Sequence, residues 1–425
     1  MDHFTETTTT SYSSNIGNSL KGILFGFFLI ILSIVLFWYN ENRSVKQATA
    51  LKEMQSNIIT LPDTKYKPEY NNKPILIQGE VKPISTVTDS TFGVISDGLV
   101  LQRDVTMYQW KEHKSSHSED NVGGSTVTIT TYDYKKGWHS HSQNSSSFKH
   151  PEGHSNPTML YSNKLFTTDA NIGDFHIPRD IVQRFNISSS YNGLDKMPEN
   201  IGNSKNYKSF LYIGDNPNNP NIGDTRITYR YTPAGVYSLA TKAQNRGLVD
   251  YTTSNGMEFT FIREGKVSAD KIFKDEFEEN SLITWILRFV GFLVMFIGFK
   301  LIMEPLSTLA NVIPMFGSLV GMASSLVAFI LTLLLGSIVL AFSWFASRPM
   351  MSLIIIGGAV LISMLFSKSN RRETNQNNNT ISSPPPEREN ISSTIPPSTP
   401  PPRESRNSST PPPRRRDSSV PPPRR

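Results

Sequence analysis

The sequence contains no cysteine. This absence excludes disulfide frameworks, zinc sites with Cys ligands, Fe–S clusters and thiol catalysis together, and it leaves the redox compartment open. There is also no Gly-rich phosphate loop after a strand, and no Ser/His/Asp triad can be distinguished from other residues of those types. We therefore predict no catalytic residues, no cofactor and no enzymatic activity from these patterns.

The chain has almost no net charge outside its last 59 residues. It has 42 Lys and Arg and 36 Asp and Glu residues, a net charge of +6, and residues 367–425 hold eleven basic and five acidic residues, which account for the whole excess. The same segment holds fourteen of the 28 prolines. A folded domain with a cationic face is not indicated, and we expect no nucleic-acid partner.

Long uncharged stretches predict four transmembrane helices. A hydrocarbon core of about 30 Å needs about 20 apolar residues. The first stretch ends in Trp38 and Tyr39, which suit the membrane interface, and it lacks the cleavage site of a signal peptide. The predicted helices are residues 22–40, 282–303, 319–346 and 349–366, with an interfacial connector at 304–318.

Three cations accompany these helices. Lys300 is expected to extend its side chain to the headgroups, as is Arg348, which precedes a proline between the last two helices. Arg288 lies two turns inside its helix, so it either extends to the interface or pairs with a lumenal acid or a neighbouring helix. Small residues would allow close helix packing and self-association. They are Gly317, Gly321, Ala323, Ser324, Ser325, Gly336, Gly357 and Gly358.

The basic residues after the last helix indicate the orientation. Lys368, Arg371 and Arg372 place the tail in the cytosol. Four helices then put residues 1–21 in the cytosol as well, and residues 41–281 in the lumen. The lumenal part alternates apolar and polar residues and is rich in β-branched residues, as in 74–81, 99–110, 126–134, 225–231, 235–240 and 257–262. We predict a large, mainly β domain, in two modules at about 70–200 and 205–275. Ser268 is placed to cap an amphipathic helix that leads into the membrane.

The fold class is thus an α+β membrane protein. It has one N-terminal and three C-terminal transmembrane helices, a large mainly β lumenal domain and a disordered Pro/Arg-rich tail at 367–425.

Five segments in order resemble the signature segments of the transmembrane protein 43 (LUMA) family. They are Asn40-Glu-Asn-Arg43, residues 103–110, 153–157, 216–226 and 284–298. The motif positions they contain are Asn40, Glu41, Arg43, Arg103, Tyr108, Gln109, Trp110, His154, Asn156, Pro157, Gly223, Asp224, Arg226, Trp285, Arg288 and Gly291. The resemblance covers residues 20–366 and shares the arrangement of one plus three transmembrane helices. Residues 79–110 also resemble the β module of a mitochondrial ubiquitin ligase, with 205–275 as a second copy.

This resemblance implies a multi-pass protein of the endoplasmic reticulum membrane and the inner nuclear membrane. It implies partners at the nuclear envelope such as emerin and lamins, a part in organising the envelope or signalling assemblies, and no established enzymatic activity. The Pro/Arg-rich tail has no counterpart in this resemblance.

Six of the eight histidines lie between His113 and His154. Pairs spaced by two or four residues could bring imidazoles together as a zinc site requires, with His113, His117, His139, His141 and His154 as candidate ligands. The surrounding segments are rich in Ser, Lys and Gly, which favours solvated loop histidines instead. We therefore predict no metal site.

The tail repeats a unit of Ser-Ser followed by three prolines and arginine, at 407–414 and 417–424. Such segments adopt polyproline II and dock in grooves of SH3 or WW type, or else the tail is simply attracted to anionic lipid. Ser418 resembles a kinase site, and Asn42, Asn144 and Asn186 are sequons for glycosylation.

These observations favour a membrane scaffold that binds other proteins. The alternatives are a lumenal metal- or lipid-dependent enzyme and a small channel or transporter. Few intramembrane charges and no paired inverted halves argue against a transporter.

Overall fold

The computed structural model describes residues 2–348 together with Leu353, Ile354 and Gly357. The predicted fourth transmembrane helix at 349–366 and the predicted disordered tail at 367–425 lie outside the described residues, apart from those three. Ser418 and the Pro-rich repeats lie outside them too.

Three long helices in the described part are apolar enough to cross a membrane. They are α1 (Tyr12–Asn57), α3 (Ala269–Ala310) and α4 (Pro314–Ser347). A short helix of four residues, α2 (Arg179–Val182), lies between α1 and α3 in the chain. Ser11 caps α1 by accepting a hydrogen bond from the Ser14 amide, and Ser268 caps α3 by accepting one from the Lys271 amide. The predicted cap at Ser268 is therefore confirmed. The amphipathic helix that it begins continues without a break into the membrane-spanning part of α3.

The connector between the second and third predicted transmembrane helices is shorter than expected. The prediction placed it at 304–318, but α3 continues to Ala310 and α4 starts at Pro314. Pro305 lies inside α3, and Pro314 occupies the first turn of α4, where the missing amide hydrogen costs nothing. Only residues 311–313 break the helices. The predicted end of the second transmembrane helix before residue 304 is therefore wrong, because α3 accommodates Pro305.

Twenty strands build the rest of the described chain. They are β1 (Asp2–Thr10), β2 (Ile59–Thr60), β3 (Pro74–Pro83), β4 (Val87–Asp89), β5 (Val94–Ser96), β6 (Val100–Asp120), β7 (Thr126–His139), β8 (Lys164–Thr167), β9 (Ala170–Ile172), β10 (Phe175–Ile177), β11 (Ser189–Ser190), β12 (Asn200–Ile201), β13 (Ser204–Asn206), β14 (Leu211–Ile213), β15 (Thr225–Thr232), β16 (Gly235–Gln244), β17 (Gly247–Val249), β18 (Tyr251–Thr252), β19 (Glu258–Phe259) and β20 (Phe261–Glu264). Five of the six segments predicted as strands each coincide with one strand here, and the sixth, 257–262, covers β19 and the start of β20. The mainly β character of the domain is therefore confirmed.

Two large sheets organise these strands. The first has nine strands, in the order β1-β7-β6-β15-β14-β13-β12 with β11 beside β15 and β8 beside β6. In the second, pairings link β3, β9, β10, β17 and β16 in a closed ring, to which β2 and β20 add. Each sheet combines strands from before and after residue 200. The two predicted modules at 70–200 and 205–275 are thus not separate units, because β16 pairs with β3 and β15 pairs with β6.

The helices enter the core of the β domain. Ala50, Leu51 and Met54 of α1 and Ile272 and Phe273 of α3 are fully buried, and they pack with Leu76, Ala240, Phe259 and Phe261. Burying each large apolar side chain stabilises the fold by about 1.5–3 kcal/mol. The apolar face that the sequence predicted before the second transmembrane helix therefore faces the domain, and the helices and the domain share one core.

A long hairpin extends away from the domain. Along β6, side chains alternate between buried and half-buried as far as Trp110, and they are exposed from His113 onward. We call residues 111–135 the arm. Its tip lies at the far end of the helices: the Asn15 side chain donates to the Gly124 carbonyl and to Thr126 Oγ1, and the Gly123 amide donates to the Val312 carbonyl.

The N-terminal strand completes the arm. β1 pairs with β7 over nine residues, from Asp2 opposite Tyr134 to Thr10 opposite Thr126. The sequence prediction placed residues 1–21 and 41–281 on opposite sides of a membrane and did not foresee this pairing. Exposed sheet edges and polar side chains do not occur in hydrocarbon, so the arm cannot lie along an inserted bundle. The predicted topology stays a prediction, and in a bilayer it requires β1 to leave β7 as well as the arm tip to separate from the helix ends.

Candidate functional site at the membrane boundary

A buried carboxylate joins the three long helices where α1 leaves its apolar stretch. Glu41 has no exposed side-chain surface. Arg288 of α3 places Nε and Nη2 each 2.7 Å from Glu41 Oε1, and Nη1 of Arg348, the residue after α4, lies 3.2 Å from Oε2. The two guanidiniums compensate the buried charge and between them occupy both carboxylate oxygens. Of the two predictions for Arg288, the structure shows pairing, and the acid is on α1.

Aromatic rings cover the outer side of both guanidiniums. The Arg288 guanidinium lies 4.7 Å from the ring centre of Trp285, and that of Arg348 lies 5.3 Å from the ring centre of Trp344. Trp285 is 63% exposed, which is typical of a tryptophan at a membrane interface. The rings shield the cluster from the surroundings and add a cation–π attraction. Arg348 was expected to extend to the headgroups, and the structure directs it to Glu41 instead.

Two asparagines clamp α1 to α3 in a reciprocal way. Asn40 Nδ2 donates to the Thr284 carbonyl at 3.0 Å, and Asn280 Nδ2 donates to the Ser44 carbonyl at 3.0 Å. The partners are four residues apart on each helix, so one helical turn on each side forms the contact. Arg43 adds to it, because its Nη2 donates to Thr284 Oγ1 at 3.2 Å. The helices are thereby held in a single register at this level.

The clamp leaves polar atoms unpaired. Asn40 Oδ1, Asn280 Oδ1 and Arg43 Nε are buried and have no hydrogen-bond partner among the described residues. An unsatisfied buried polar atom costs about 1–3 kcal/mol. Such groups are rare in native proteins and call for a specific reason. Two acceptors and one donor thus remain available at the centre of this junction.

Below the junction the helices approach through glycines. A Cβ on Gly298 of α3 would lie 2.8 Å from the Gly26 carbonyl of α1, and a Cβ on Gly291 would lie 2.7 Å from the Phe37 ring. A Cβ on Gly336 of α4 would likewise clash with the Phe292 ring. Close backbone contact of this kind is how helices associate in lipid. Gly336 was among the predicted small residues and Gly291 among the motif positions, whereas Gly26 and Gly298 were missed.

The remaining motif positions lie in the domain. Arg103 forms a salt bridge of 2.9 Å with Asp89, which is completely buried. Tyr229 donates to the same carboxylate at 2.7 Å, and burial together with this bond raises the pKa of its hydroxyl. The family position Arg103 therefore supports the core and does not reach the membrane-boundary cluster.

The 216–226 loop is held by its own motif residues. Asp224 accepts hydrogen bonds from the Tyr212 hydroxyl at 2.6 Å and the Asn221 amide at 2.8 Å. Arg226 lies between the rings of Trp138 and Phe210, at 4.6 and 4.7 Å. The Gly223 amide donates to the Tyr108 carbonyl, and a Cβ on Gly223 would lie 3.0 Å from Pro157. The motif residues of this segment therefore hold the 216–226 loop in one conformation.

A third motif group lies at the base of the arm. Asn156 completes strand pairing with Trp110, because Oδ1 accepts from its amide at 2.7 Å and Nδ2 donates to its carbonyl at 2.9 Å. Gln109 similarly donates to the His141 carbonyl. His154 is buried and stacks on Tyr134 at 4.0 Å. Both its ring nitrogens lie within hydrogen-bond distance of an oxygen, the His150 carbonyl at 2.8 Å and Asp2 Oδ2 at 2.9 Å.

The five candidate metal ligands are not brought together. His113 and His117 lie on β6, His139 ends β7, His141 follows it, and His154 packs at the arm base. Within residues 2–348 no group of three or more His, Asp or Glu side chains is placed to hold a metal ion. Burial lowers the pKa of His139. The sequons Asn42, Asn144 and Asn186 are exposed, as glycosylation requires, and their modification stays a prediction.

Comparison with known proteins agrees with the motif pattern. A family model described as Transmembrane protein 43 matches residues 107–349. The chain is 29% identical to Transmembrane protein 43 of Homo sapiens over 348 residues, 79% of this chain and 86% of that protein, and 28% identical to that of Mus musculus over 349 residues with the same coverage. It is 27% identical to the Transmembrane protein 43 homolog of Drosophila melanogaster over 281 residues, 64% of this chain and 74% of that protein. No solved structure matches the chain. None of these names states an enzymatic activity.

Proposed function

Because the chain belongs to the transmembrane protein 43 family, we propose that it is a multi-pass scaffold of the endoplasmic reticulum and inner nuclear membrane. In this role it organises membrane-protein complexes by protein binding and performs no chemistry. The observation that carries the proposal is the junction at Glu41, where one buried carboxylate ties α1, α3 and the end of α4 together.

A scaffold must present its binding surface in a fixed position. α1 and α3 run without a break from the bundle into the domain core, and the junction holds their register just outside the membrane. A domain joined in this way cannot reorient freely on the bundle. Partners bound to the domain and partners bound to the helices are then kept at a constant distance from each other.

The domain offers a groove for a peptide or loop of a partner. It has a volume of about 530 Å³ and is lined by the rings of Tyr191 and Tyr231 together with Met197, Asp97 and Lys196. Aromatic and Met side chains with charges of both signs are typical of protein-binding surfaces. The resemblance points to nuclear-envelope proteins of the emerin or lamin kind as partners. Self-association through the bundle and binding of SH3- or WW-type proteins to the tail complete the proposal.

Proximity labelling in cells tests the groove. Lys196→Glu reverses a charge in the groove. Lys205→Glu is the matched control, because Lys205 is an exposed residue of strand β13 and lies outside the groove. We expect the first variant to lose at least half of its labelled membrane-protein partners and the second to keep them.

If both variants label the same partners as the unchanged protein, the hypothesis that the groove binds partner proteins is wrong. A third variant, in which residues 380–425 are deleted, tests the tail separately. Ion flux in liposomes that contain the purified protein would instead favour a channel, and turnover of lipid would favour an enzyme.

A further inference from the structure

A second polar site lies in the bundle, about 18 Å along α3 from Arg288. It is a groove of about 400 Å³ between α3 and α4. Its polar lining includes Lys300, Glu304, Ser307 and Ser324, and its apolar lining includes Ile297 and Leu301. The distance follows from the twelve residues between Arg288 and Lys300 at 1.5 Å rise per residue.

The two charges in this groove have no partner among the described residues, although they are spaced to pair with each other. Lys300 and Glu304 are one turn apart and both exposed, but the structure holds neither an ion pair nor a side-chain hydrogen bond for them within residues 2–348. Elsewhere on α3, Lys271 pairs with Asp275 at the same spacing. A charge in a membrane helix is costly and normally marks an interaction. The lysine and the carboxylate are both available to a ligand.

The groove lies at the level of lipid headgroups. A Cβ on Gly22 of α1 would lie 3.6 Å from Glu304 Oε2, and Gly22 follows Lys21, the last charged residue before the apolar stretch. Lys21 and Glu41 are twenty residues apart, about 30 Å along the helix, which is the thickness of the hydrocarbon core. Glu304 therefore lies near the membrane boundary opposite the Glu41 junction.

We propose that this groove binds the headgroup of a phosphatidylethanolamine-type phospholipid. The Lys300 ammonium contacts the phosphate, and the Glu304 carboxylate accepts hydrogen bonds from the ammonium of ethanolamine. Ser324 has no side-chain hydrogen bond within residues 2–348, so its hydroxyl can donate to a phosphate oxygen. Below the headgroup, Ile297 and Leu293 are 41% and 45% exposed on the same face of α3 and offer a path for an acyl chain.

One positive and one negative side chain in the groove, Lys300 and Glu304, match the two charges of an ethanolamine headgroup. An anionic headgroup would place its net negative charge beside Glu304, which is unfavourable. A choline headgroup is zwitterionic but has no N–H to donate to the carboxylate. Ethanolamine satisfies both the lysine and the glutamate, so binding should depend on the two residues in different ways.

Native mass spectrometry of the full chain, delipidated in detergent and supplied with one lipid at a time, tests the proposal. We expect phosphatidylethanolamine to bind at least fivefold more tightly than phosphatidylcholine or phosphatidylglycerol. Lys300→Gln should weaken ethanolamine-lipid binding at least fivefold. Glu304→Gln should remove the preference over phosphatidylcholine. Lys274→Gln, on the part of α3 outside the membrane, should change nothing.

Gly321→Leu provides an independent test that leaves the charges intact. A Cβ there has only the Ser307 Cβ within 4 Å, at 3.6 Å, so a leucine fills the groove without displacing backbone. Ethanolamine-lipid binding should fall as far as with Lys300→Gln. Equal binding of all three lipids by the unchanged protein, or unchanged binding by Lys300→Gln and Gly321→Leu, would overturn the proposal. None of these outcomes depends on the scaffold function.

Discussion

Replacing Glu41 by glutamine is the sharpest test of the membrane-boundary junction. The change keeps the size of the side chain and removes the charge that compensates Arg288 and Arg348. Those guanidiniums are only 16% and 28% exposed in their side chains, so water can solvate them only in part. Removing one partner of a buried ion pair costs about 3–5 kcal/mol. Since both arginines keep some contact with solvent, we expect the lower end, about 3 kcal/mol.

The free energy of unfolding of the full chain can be measured by titration with sodium dodecyl sulfate in mild detergent, with tryptophan fluorescence as the signal. A loss of about 3 kcal/mol is about two orders of magnitude in the unfolding equilibrium. The matched control is Glu80→Gln. Glu80 forms an ion pair with Lys82 that is 60% and 67% exposed, so its loss should cost less than about 0.5 kcal/mol.

A double-mutant cycle separates the ion pair from general damage. Arg288→Gln alone should also destabilise the protein, because it leaves Glu41 with Arg348 as its remaining cationic contact in the junction. With both changes together, the destabilisation should be smaller than the sum of the two by about 1–2 kcal/mol, as for residues in direct contact. If Glu41→Gln costs less than about 1 kcal/mol, or if the two effects simply add, the junction does not stabilise the bundle in the way argued above.

Three further changes test other parts of the fold. Gly298→Ala should cost about 2 kcal/mol in the same titration, since its Cβ would lie 2.8 Å from the α1 backbone, and an unchanged midpoint would contradict the close contact. The hydrogen bond from Arg184 lowers the pKa of Asp250, so this pair stabilises above about pH 4 and its effect is lost as the pH falls through the lowered pKa. Asp250→Asn should therefore cost about 1 kcal/mol at pH 7 and less at pH 2 in thermal unfolding, whereas an equal cost at both pH values would exclude this account. Cysteines at Asn15 and Thr126, the only thiols in the chain, should form a disulfide in detergent but not in liposomes; cross-linking in both would mean that the arm stays on the inserted helices.

The sequence was sufficient to predict the helices and strands whose pattern of apolar residues follows directly from which side chains are buried. The apolar stretches gave α1, α3 and α4, and alternation gave β3, β6, β7, β15 and β16, because a half-buried strand repeats every two residues. Ser268 was recognised as a cap for the same kind of local reason. These signals depend only on near neighbours in the chain, so a single sequence contains them.

Contacts between distant segments could not be predicted in this way. β1 contains Thr at positions 5 and 7–10, which suits a strand but names no partner, and β7 is more than 100 residues away. The helix glycines Gly26 and Gly298 lie 272 positions apart, and each is unremarkable alone. For the junction, the sequence left open whether Arg288 extends to the membrane interface or pairs with another residue. Only the structure shows that Glu41 is that partner and that Arg348 shares it.

The polar residues of the bundle also define its position in a bilayer more closely than hydropathy does. The Glu41 junction and the Lys300 groove lie at opposite ends of an interval on α1 of about 30 Å, which matches the hydrocarbon core. α1 then continues for sixteen residues beyond Glu41, about 24 Å, and its last turns are buried in the domain core. The domain is therefore held at a height set by a rigid helix, and the clamp between α1 and α3 prevents the helix from rotating against its neighbour.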